Sequence, residues 1–188
     1  MRSKDTTKGA SSIYAELGQV RPFDRAEREL AVVVLRTGDV LHHSISRALA
    51  PWGLSNEQYN ALRILRGAGE EGRPTLDLST RLISRSPNIT RLLDKLITKG
   101  LARRDRDAED RRQAVVRITP QGKEVLEECD RAVDAILGKL HALSPAEMKT
   151  AVSVLDQLRA AVAVTTVSEG LRGRKTSGTT TELKERRP

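Results

Sequence analysis

A mainly α-helical fold carrying one small β-hairpin is what this 188-residue sequence predicts. Two stretches carry that prediction. Between Ser86 and Gly100, the apolar residues Ile89, Leu92, Leu93, Leu96 and Ile97 recur at helical spacing. Directly after them, Leu101–Asp105 and Ala114–Thr119 read as two short strands joined by a polar, Arg-rich turn. A short helical segment beginning at Thr75 precedes both, so the order along the chain is helix, turn, helix, hairpin. That order outlines a winged helix-turn-helix, a fold whose second helix is built to lie in a groove of duplex DNA. Further amphipathic helices on either side add a helical region suited to dimerisation, for six helices and one hairpin in all.

Residues 1 to 23 read as an N-terminal arm, partly disordered, since the first dozen residues are polar and have little to bury. The first long helix spans about Asp24 to Ala50 and places Leu30, Val34, Leu41, Ile45 and Leu49 on one stripe, with Val32 and Leu35 off it. A helix that is apolar on two sides needs cover on both, which suggests a partner subunit. Ser55 and Gln58 form a capping box for the second helix, which carries Tyr59, Leu62 and Leu65 inward. Thr75 starts the short third helix, with Leu76, Leu78 and Leu82.

In the fourth helix, Ser86 can cap the start and Pro87 occupies the first helical position, where a missing N–H costs nothing. Gly100 closes it. Opposite its apolar face, Asn88, Arg91, Lys95 and Lys99 point to solvent, the layout of a helix whose outer face enters a major groove. Taken alone, this is equally an ordinary surface helix with a solvated charged face. The hairpin shifts the balance. Its second strand alternates, with Ala114, Val116 and Ile118 on one face and Val115 and Arg117 on the other. Its loop, Arg106 to Gln113, mixes Arg with acidic residues, and a tip of that kind can push a guanidinium into a minor groove.

After the hairpin, Thr119 and Pro120 open a helix on which Leu126, Cys129, Val133, Ile136, Leu137 and Leu140 recur. Ser144, Pro145 and Glu147 cap the last helix, with Met148, Val152, Leu155, Leu158 and Val162 on its apolar face. The organisation expected is therefore a helical dimerisation region from residues 24–50 and 119–165, a DNA-binding domain at 51–118, and a basic, disordered tail at 166–188. The two flanking helices could instead cover their own domain as a monomer. The tail, with six Lys or Arg against three Glu, could add phosphate contacts or merely solubilise the chain.

Composition agrees with an anionic partner. The net charge is +8 with a pI near 10.1. Residues 81–117 alone hold 11 Lys or Arg against 5 Asp or Glu, a net of +6, so the positive charge clusters on the suspected DNA face. Charge by itself would suit RNA or an anionic membrane equally. Aromatic content of 2% argues against single-strand or RNA binding, which leans on exposed stacking platforms. The N-terminus leads into no apolar stretch and the longest hydrophobic run is Leu30–Leu35, so neither a signal peptide nor a membrane span is expected. One cysteine excludes an intramolecular disulfide and fits a reducing cytoplasm.

The segment Leu96-Ile97-Thr98-Lys99-Gly100-Leu101-Ala102-Arg103-Arg104, followed by Asp110-Arg111-Arg112 and Ile118-Thr119-Pro120-Gln121-Gly122, resembles the MarR family of bacterial transcription regulators. The Asp-x-Arg of the wing and the Ile-Thr-x-x-Gly after it are the most specific marks. The match extends upstream through Gly53-Leu54-Ser55 and Gln58-Tyr59-Asn60-Ala61-Leu62, and covers roughly Leu30 to Val162. The resemblance implies a homodimer built from the first and last helices, with Arg112 entering the minor groove and Asp110 orienting it. Without it, Asp110 and Arg112 are a plain exposed ion pair worth at most about 1 kcal/mol. A dimer of this kind implies an inverted-repeat operator with half-sites about one turn, roughly 10 bp, apart.

Within that frame Asn88, which can pair with adenine, and Arg91, which can bridge guanine, are the expected base readers. Ser86 and Thr90 are expected at phosphates or in mixed contacts, Lys95, Lys99 and Arg103 on the backbone, and Arg111 among the DNA-binding residues. The resemblance further implies release by a small aromatic or xenobiotic-like ligand, in a pocket lined by Leu41, His42, Ile45, Leu62 and Cys129, and a repressor as the usual habit. Cys129 lies in an apolar stripe and reads as a structural thiol rather than a redox sensor. His42 and His43 point about 100° apart on a helix and His141 is far away in sequence, which argues against a metal site. No cofactor is expected. There is no Gly-rich phosphate loop and no catalytic triad in context, which argues against an enzyme. A sequence-neutral architectural DNA binder shares the charge and the wing, and is the alternative function.

Overall fold

The computed structural model describes residues 13–19, 21, 23–83, 88–106 and 114–172, and divides the chain into two compact units at Gly138. The first unit runs α1 (Ile13–Glu16), α2 (Ala26–Leu49), a 3-10 turn at Ala50–Trp52, α3 (Asn56–Ala68), a second 3-10 turn at Gly69–Glu71, β1 (Arg73–Pro74), α4 (Thr75–Arg81), α5 (Ile89–Thr98), β2 (Ala102–Arg106), β3 (Ala114–Ile118) and α6 (Pro120–Leu137). The second holds a 3-10 segment around Lys139–Ala142 and the long helix α7 (Pro145–Arg172).

One apolar core organises the first unit. Leu49 of α2, Leu62 and Leu65 of α3, Leu78 of α4, Leu93 and Leu96 of α5, Val116 of β3, and Leu126 and Cys129 of α6 are all fully buried in it. Burying each leucine of this set contributes about 1.5–3 kcal/mol of transfer free energy, which is what holds α5 by its inner face. The sheet orders its strands β1-β3-β2, all antiparallel, with Arg104 opposite Val116 and Pro74 opposite Val115.

Local chemistry sets most helix starts. Ser55 and Gln58 exchange the two hydrogen bonds of a capping box, Ser55 Oγ accepting from Gln58 N at 3.2 Å and Gln58 Oε1 from Ser55 N at 3.0 Å. Thr119 caps α6 through Gly122 N at 2.9 Å, with Pro120 in the first turn. Ser144 and Glu147 make the reciprocal pair at the start of α7. α5 ends in a Schellman motif: Gly100, at φ 72°, donates to Ile97 O, and Leu101 N donates to Leu96 O.

Several expectations need correction. α5 begins at Ile89 with Asn88 as its N-cap, whose Oδ1 accepts from Arg91 N at 2.9 Å; the expected cap at Ser86 and Pro87 lies outside the described residues. The hairpin has a third strand, because β1 pairs with β3, and this is why Val115 is buried beside Val116 and Ile118 while Ala114 is exposed. The N-terminal arm contains α1, with Glu16 paired to Arg36 of α2 at 2.6 Å and the rings of Tyr14 and Phe23 5.4 Å apart. α7 continues to Arg172, past the end expected near residue 165, since neither Pro nor Gly interrupts it before Gly170. It has no single apolar face: Val154 and Ala160 stand off the stripe of Val152 and Leu155.

Candidate nucleic-acid interface

α5 turns two faces in opposite directions. Leu92, Leu93 and Leu96 are buried, while Thr90, Arg91, Asp94, Lys95 and Thr98 are exposed. Those five fall at i, i+1, i+4, i+5 and i+8, which is one side of a 3.6-residue helix. Thr90, Arg91 and Lys95 thus share the outward face expected of them. Asn88 is exposed at the helix N-terminus, but its side-chain oxygen is occupied as the cap acceptor. Only its amide group is left to serve as a donor.

Lys99 does not share that face. Its ammonium donates to Trp52 O at 3.1 Å and Gly53 O at 2.9 Å, closing the carbonyls that end the 3-10 turn after α2. The expectation of a phosphate contact there is corrected for the same reason: the amine is held by the protein's own backbone. Trp52 is fixed in turn by its indole N–H, which donates to Glu128 of α6 at 2.8 Å.

Two acidic residues shape the basic surface and were not singled out from the sequence. Asp94, on the exposed face of α5, pairs with Arg104 of β2 at 2.9 Å, tying helix to wing. Asp105 accepts from Arg117 at 3.1 Å and lies 3.3 Å from Arg103. Arg103 is nonetheless largely exposed at the wing. Neither Asp94–Arg104, between α5 and β2, nor Asp105–Arg117, between β2 and β3, has a local sequence signal, because they join residues ten and twelve positions apart on different elements. Asp110, Arg111 and Arg112 of the wing tip lie outside the described residues.

A cavity of about 480 Å³ lies among α2, α3, α6 and the turn after α4. α2 contributes Leu41, His42 and Ile45 to its wall, α3 contributes Tyr59, Asn60 and Arg63, and the turn after α4 contributes Leu82 and Ile83. Three of the five expected lining residues, Leu41, His42 and Ile45, are therefore on the wall. Leu62 and Cys129 are not; both are fully buried in the core. Polar groups converge around the cavity. His42 Nε2 is 3.9 Å from Glu57, whose own backbone N–H and the Ser55 hydroxyl hold its carboxyl below the usual range. The Arg63 guanidinium stacks 5.8 Å over the ring of Tyr59. His42 and His43 are edge to face at 6.0 Å, and among the described residues no cluster of acidic, His or Cys side chains could hold a metal ion. Among those residues, too, no helix is long and apolar enough to cross a membrane.

A short helix, a turn, a second helix buried by one face, and a three-stranded wing define a winged helix-turn-helix. The MarR family model matches residues 54–114, which covers α3 through the wing. The "Uncharacterized HTH-type transcriptional regulator YdgJ" of Bacillus subtilis is 31% identical over 108 residues, 57% of this chain and 65% of that protein. The chain thus aligns with just under two thirds of that relative's length. Among solved structures, the S. aureus MepR–DNA complex superposes with a TM-score of 0.64 at 22% identity, covering 70% of this chain and 96% of that one. The repressor CouR of Rhodococcus jostii RHA1, solved on a 23-mer DNA duplex and also with p-coumaroyl-CoA, superposes in the duplex complex with a TM-score of 0.61 at 25% identity, covering 74% and 99%. Over the winged unit, residues 54–114, the chain is therefore similar to the MarR family.

Proposed function

We propose that this protein is a homodimeric, sequence-specific regulator of transcription that binds duplex DNA and acts as a repressor released by a small amphipathic ligand. The observation that carries the reading is the exposed face of α5, where Thr90, Arg91 and Lys95 stand opposite a fully buried leucine face. That helix is braced to the wing by the Asp94–Arg104 pair, so helix and wing present one surface. In this reading Arg91 and the amide of Asn88 read bases, with Ser86 and Thr90 in mixed or phosphate contacts. Lys95, Arg103 and Arg111 neutralise phosphates, and Arg112, oriented by Asp110, enters the minor groove.

The dimer is proposed from unpartnered apolar surface. Leu30, Val33, Leu35 and Val40 of α2 are exposed, as are Val152, Val154 and Leu155 of α7. Exposure on this scale in two long helices suits cover by a second copy, which would set two recognition helices about one DNA turn apart. The effector proposal rests on the cavity beside α3, which pairs an apolar wall with Arg63 and His42. CouR, whose fold this chain shares, takes p-coumaroyl-CoA.

Selection of random duplex DNA by the purified protein, repeated with Arg112→Ala, tests the reading. An enriched inverted repeat that weakens in the variant supports it. Tight, salt-sensitive binding without enrichment would replace it with a sequence-neutral architectural role.

A further inference from the structure

We infer that Asn60 is the positioning residue that couples occupancy of the cavity to the placement of the recognition helix. Asn60 sits on α3, inside the cavity wall, and its side-chain oxygen accepts the backbone N–H of Ile83 at 3.0 Å. Ile83 stands just beyond the end of α4, where Leu82 has already turned to an extended conformation (φ −64°, ψ 140°) and left the helical ladder. Its N–H therefore has no helical acceptor, and Asn60 supplies one. Five residues later Asn88 caps α5. One side-chain hydrogen bond thus holds Ile83, the last described residue before Asn88 and α5, and the two residues that make it both line the cavity.

The rest of the wall is better held. Asn56 joins α3 to α2 through two hydrogen bonds, from Ser46 Oγ at 3.2 Å and to His42 O at 3.0 Å, and the Tyr59 hydroxyl is bound to Asp130 of α6 at 2.6 Å. α2, α3 and α6 are cross-tied by side-chain hydrogen bonds, whereas the turn at Leu82–Ile83 is held by the buried side chain of Leu82 and, at the exposed Ile83, by the Asn60 bond. A molecule that fills the cavity and offers a hydroxyl or N–H to the Asn60 oxygen competes with Ile83 for it. The backbone at Ile83 is then released while Leu82 and the other walls stay in place. The inference rests on the proposed DNA-binding function for its consequence, and on the cavity geometry alone for its mechanism.

Gly38 gives a test that needs no identified ligand. It lines the cavity one turn before Leu41 and His42, and a Cβ there would meet nothing within 4 Å. Gly38→Gln, with Gly38→Ser as the smaller substitute should the first fail to fold, brings a side-chain N–H or O–H donor into the cavity from the protein itself. Two quantities are read in wild type, the Gly38 variant, Asn60→Ala and the double variant: amide exchange at Ile83, and affinity for the duplex enriched by selection. The expected result is faster exchange at Ile83 in both single variants and about tenfold weaker DNA binding on filling the cavity, within the usual range of coupling between sites. Filling should then add nothing further in the Asn60→Ala background. Asn60→Asp, which keeps an acceptor at that position, should restore the response to Gly38→Gln. Additive losses in the double variant, or Ile83 protection unchanged by filling, would overturn the coupling. Failure of the wild type to bind any duplex would instead overturn the regulator reading, with the exchange data still deciding the role of Asn60.

Discussion

The hydroxyl of Tyr59 donates a 2.6 Å hydrogen bond to Oδ1 of Asp130, while Arg66, two turns further along α3, holds Oδ2 at 2.6 Å. One carboxylate on α6 is thereby clamped by two residues of α3. Burial, then the bond to Asp130, pushes the Tyr59 phenol up to about 12, so it stays a donor at any ordinary pH. Burial pushes the Asp130 carboxyl up as well, but the hydrogen bonds from Tyr59 and Arg66 outweigh it and hold the group below the usual range. A folded-state value below the unfolded one contributes stability above about pH 4, and that contribution is lost as pH falls through the folded value. Asp130→Asn should therefore cost about 1.5–3 kcal/mol at pH 7. Urea denaturation of both proteins between pH 7 and pH 3 checks this. The gap should narrow below about pH 4, and a constant gap would show that the charge of Asp130 is not what matters.

Lys99 and Lys95 lie four residues apart on the same segment and should behave differently. The ammonium of Lys99 is spent on Trp52 O and Gly53 O, whereas Lys95 is exposed on the outward face of α5. Lys95→Met should reduce the slope of log affinity against log salt by about one, since one phosphate contact is lost. Lys99→Met should leave that slope nearly unchanged and lower the melting temperature instead. Salt titrations of duplex binding with the two variants, alongside thermal melts, decide the matter; equal slope changes would return Lys99 to the DNA surface.

Cys129 is fully buried among the core leucines, and burial, followed by the neighbouring carboxylates of Asp130 and Glu128, pushes its thiol up to about 11. Because the thiolate is the reactive species, native protein should resist iodoacetamide at pH 7.5 and react only on unfolding. The rate of labelling should track the fraction unfolded along a denaturant series. Rapid modification of the native protein would reopen a redox role for this residue.

The parts of the fold that could be seen in the chain are those decided by near neighbours. Ser55 with Gln58, Thr119 with Pro120, and Ser144 with Glu147 are local patterns, and each makes the bonds its spacing implies. The two-faced character of α5 follows from period alone. What stayed hidden depends on residues far apart in sequence. Lys99 meets acceptors 46 and 47 residues away, and Asn60 meets Ile83 across 23. β1 is two residues long, too short to show any alternation, yet its pairing with β3 is what buries Val115. On α3 the sequence points to Leu62, whereas Tyr59, Asn60 and Arg63 line the cavity, because whether a core leucine faces a void or another side chain is a property of packing rather than of pattern.

Two glycines give a paired test of how tightly the wing is seated on α6. Gly122 lies in the first turn of α6, and a Cβ there would run into the carbonyl oxygen of Leu101 while also meeting Ile118 Cγ1 at 2.9 Å. That carbonyl cannot move aside freely, because it accepts the N–H of Thr119 at 3.1 Å where β3 leads into α6. Gly38, in contrast, sits in the middle of α2 with open space where its side chain would be. Gly122→Ala should destabilise by about 1–3 kcal/mol through overpacking, and Gly38→Ala should stabilise by up to about 1 kcal/mol through helix propensity. The same substitution thus changes sign between two helices, and chemical denaturation of the two variants reads it directly. Should Gly122→Ala be neutral, α6 is free to shift away from the wing, and the close approach of Leu101 to its first turn is not a constraint on the fold.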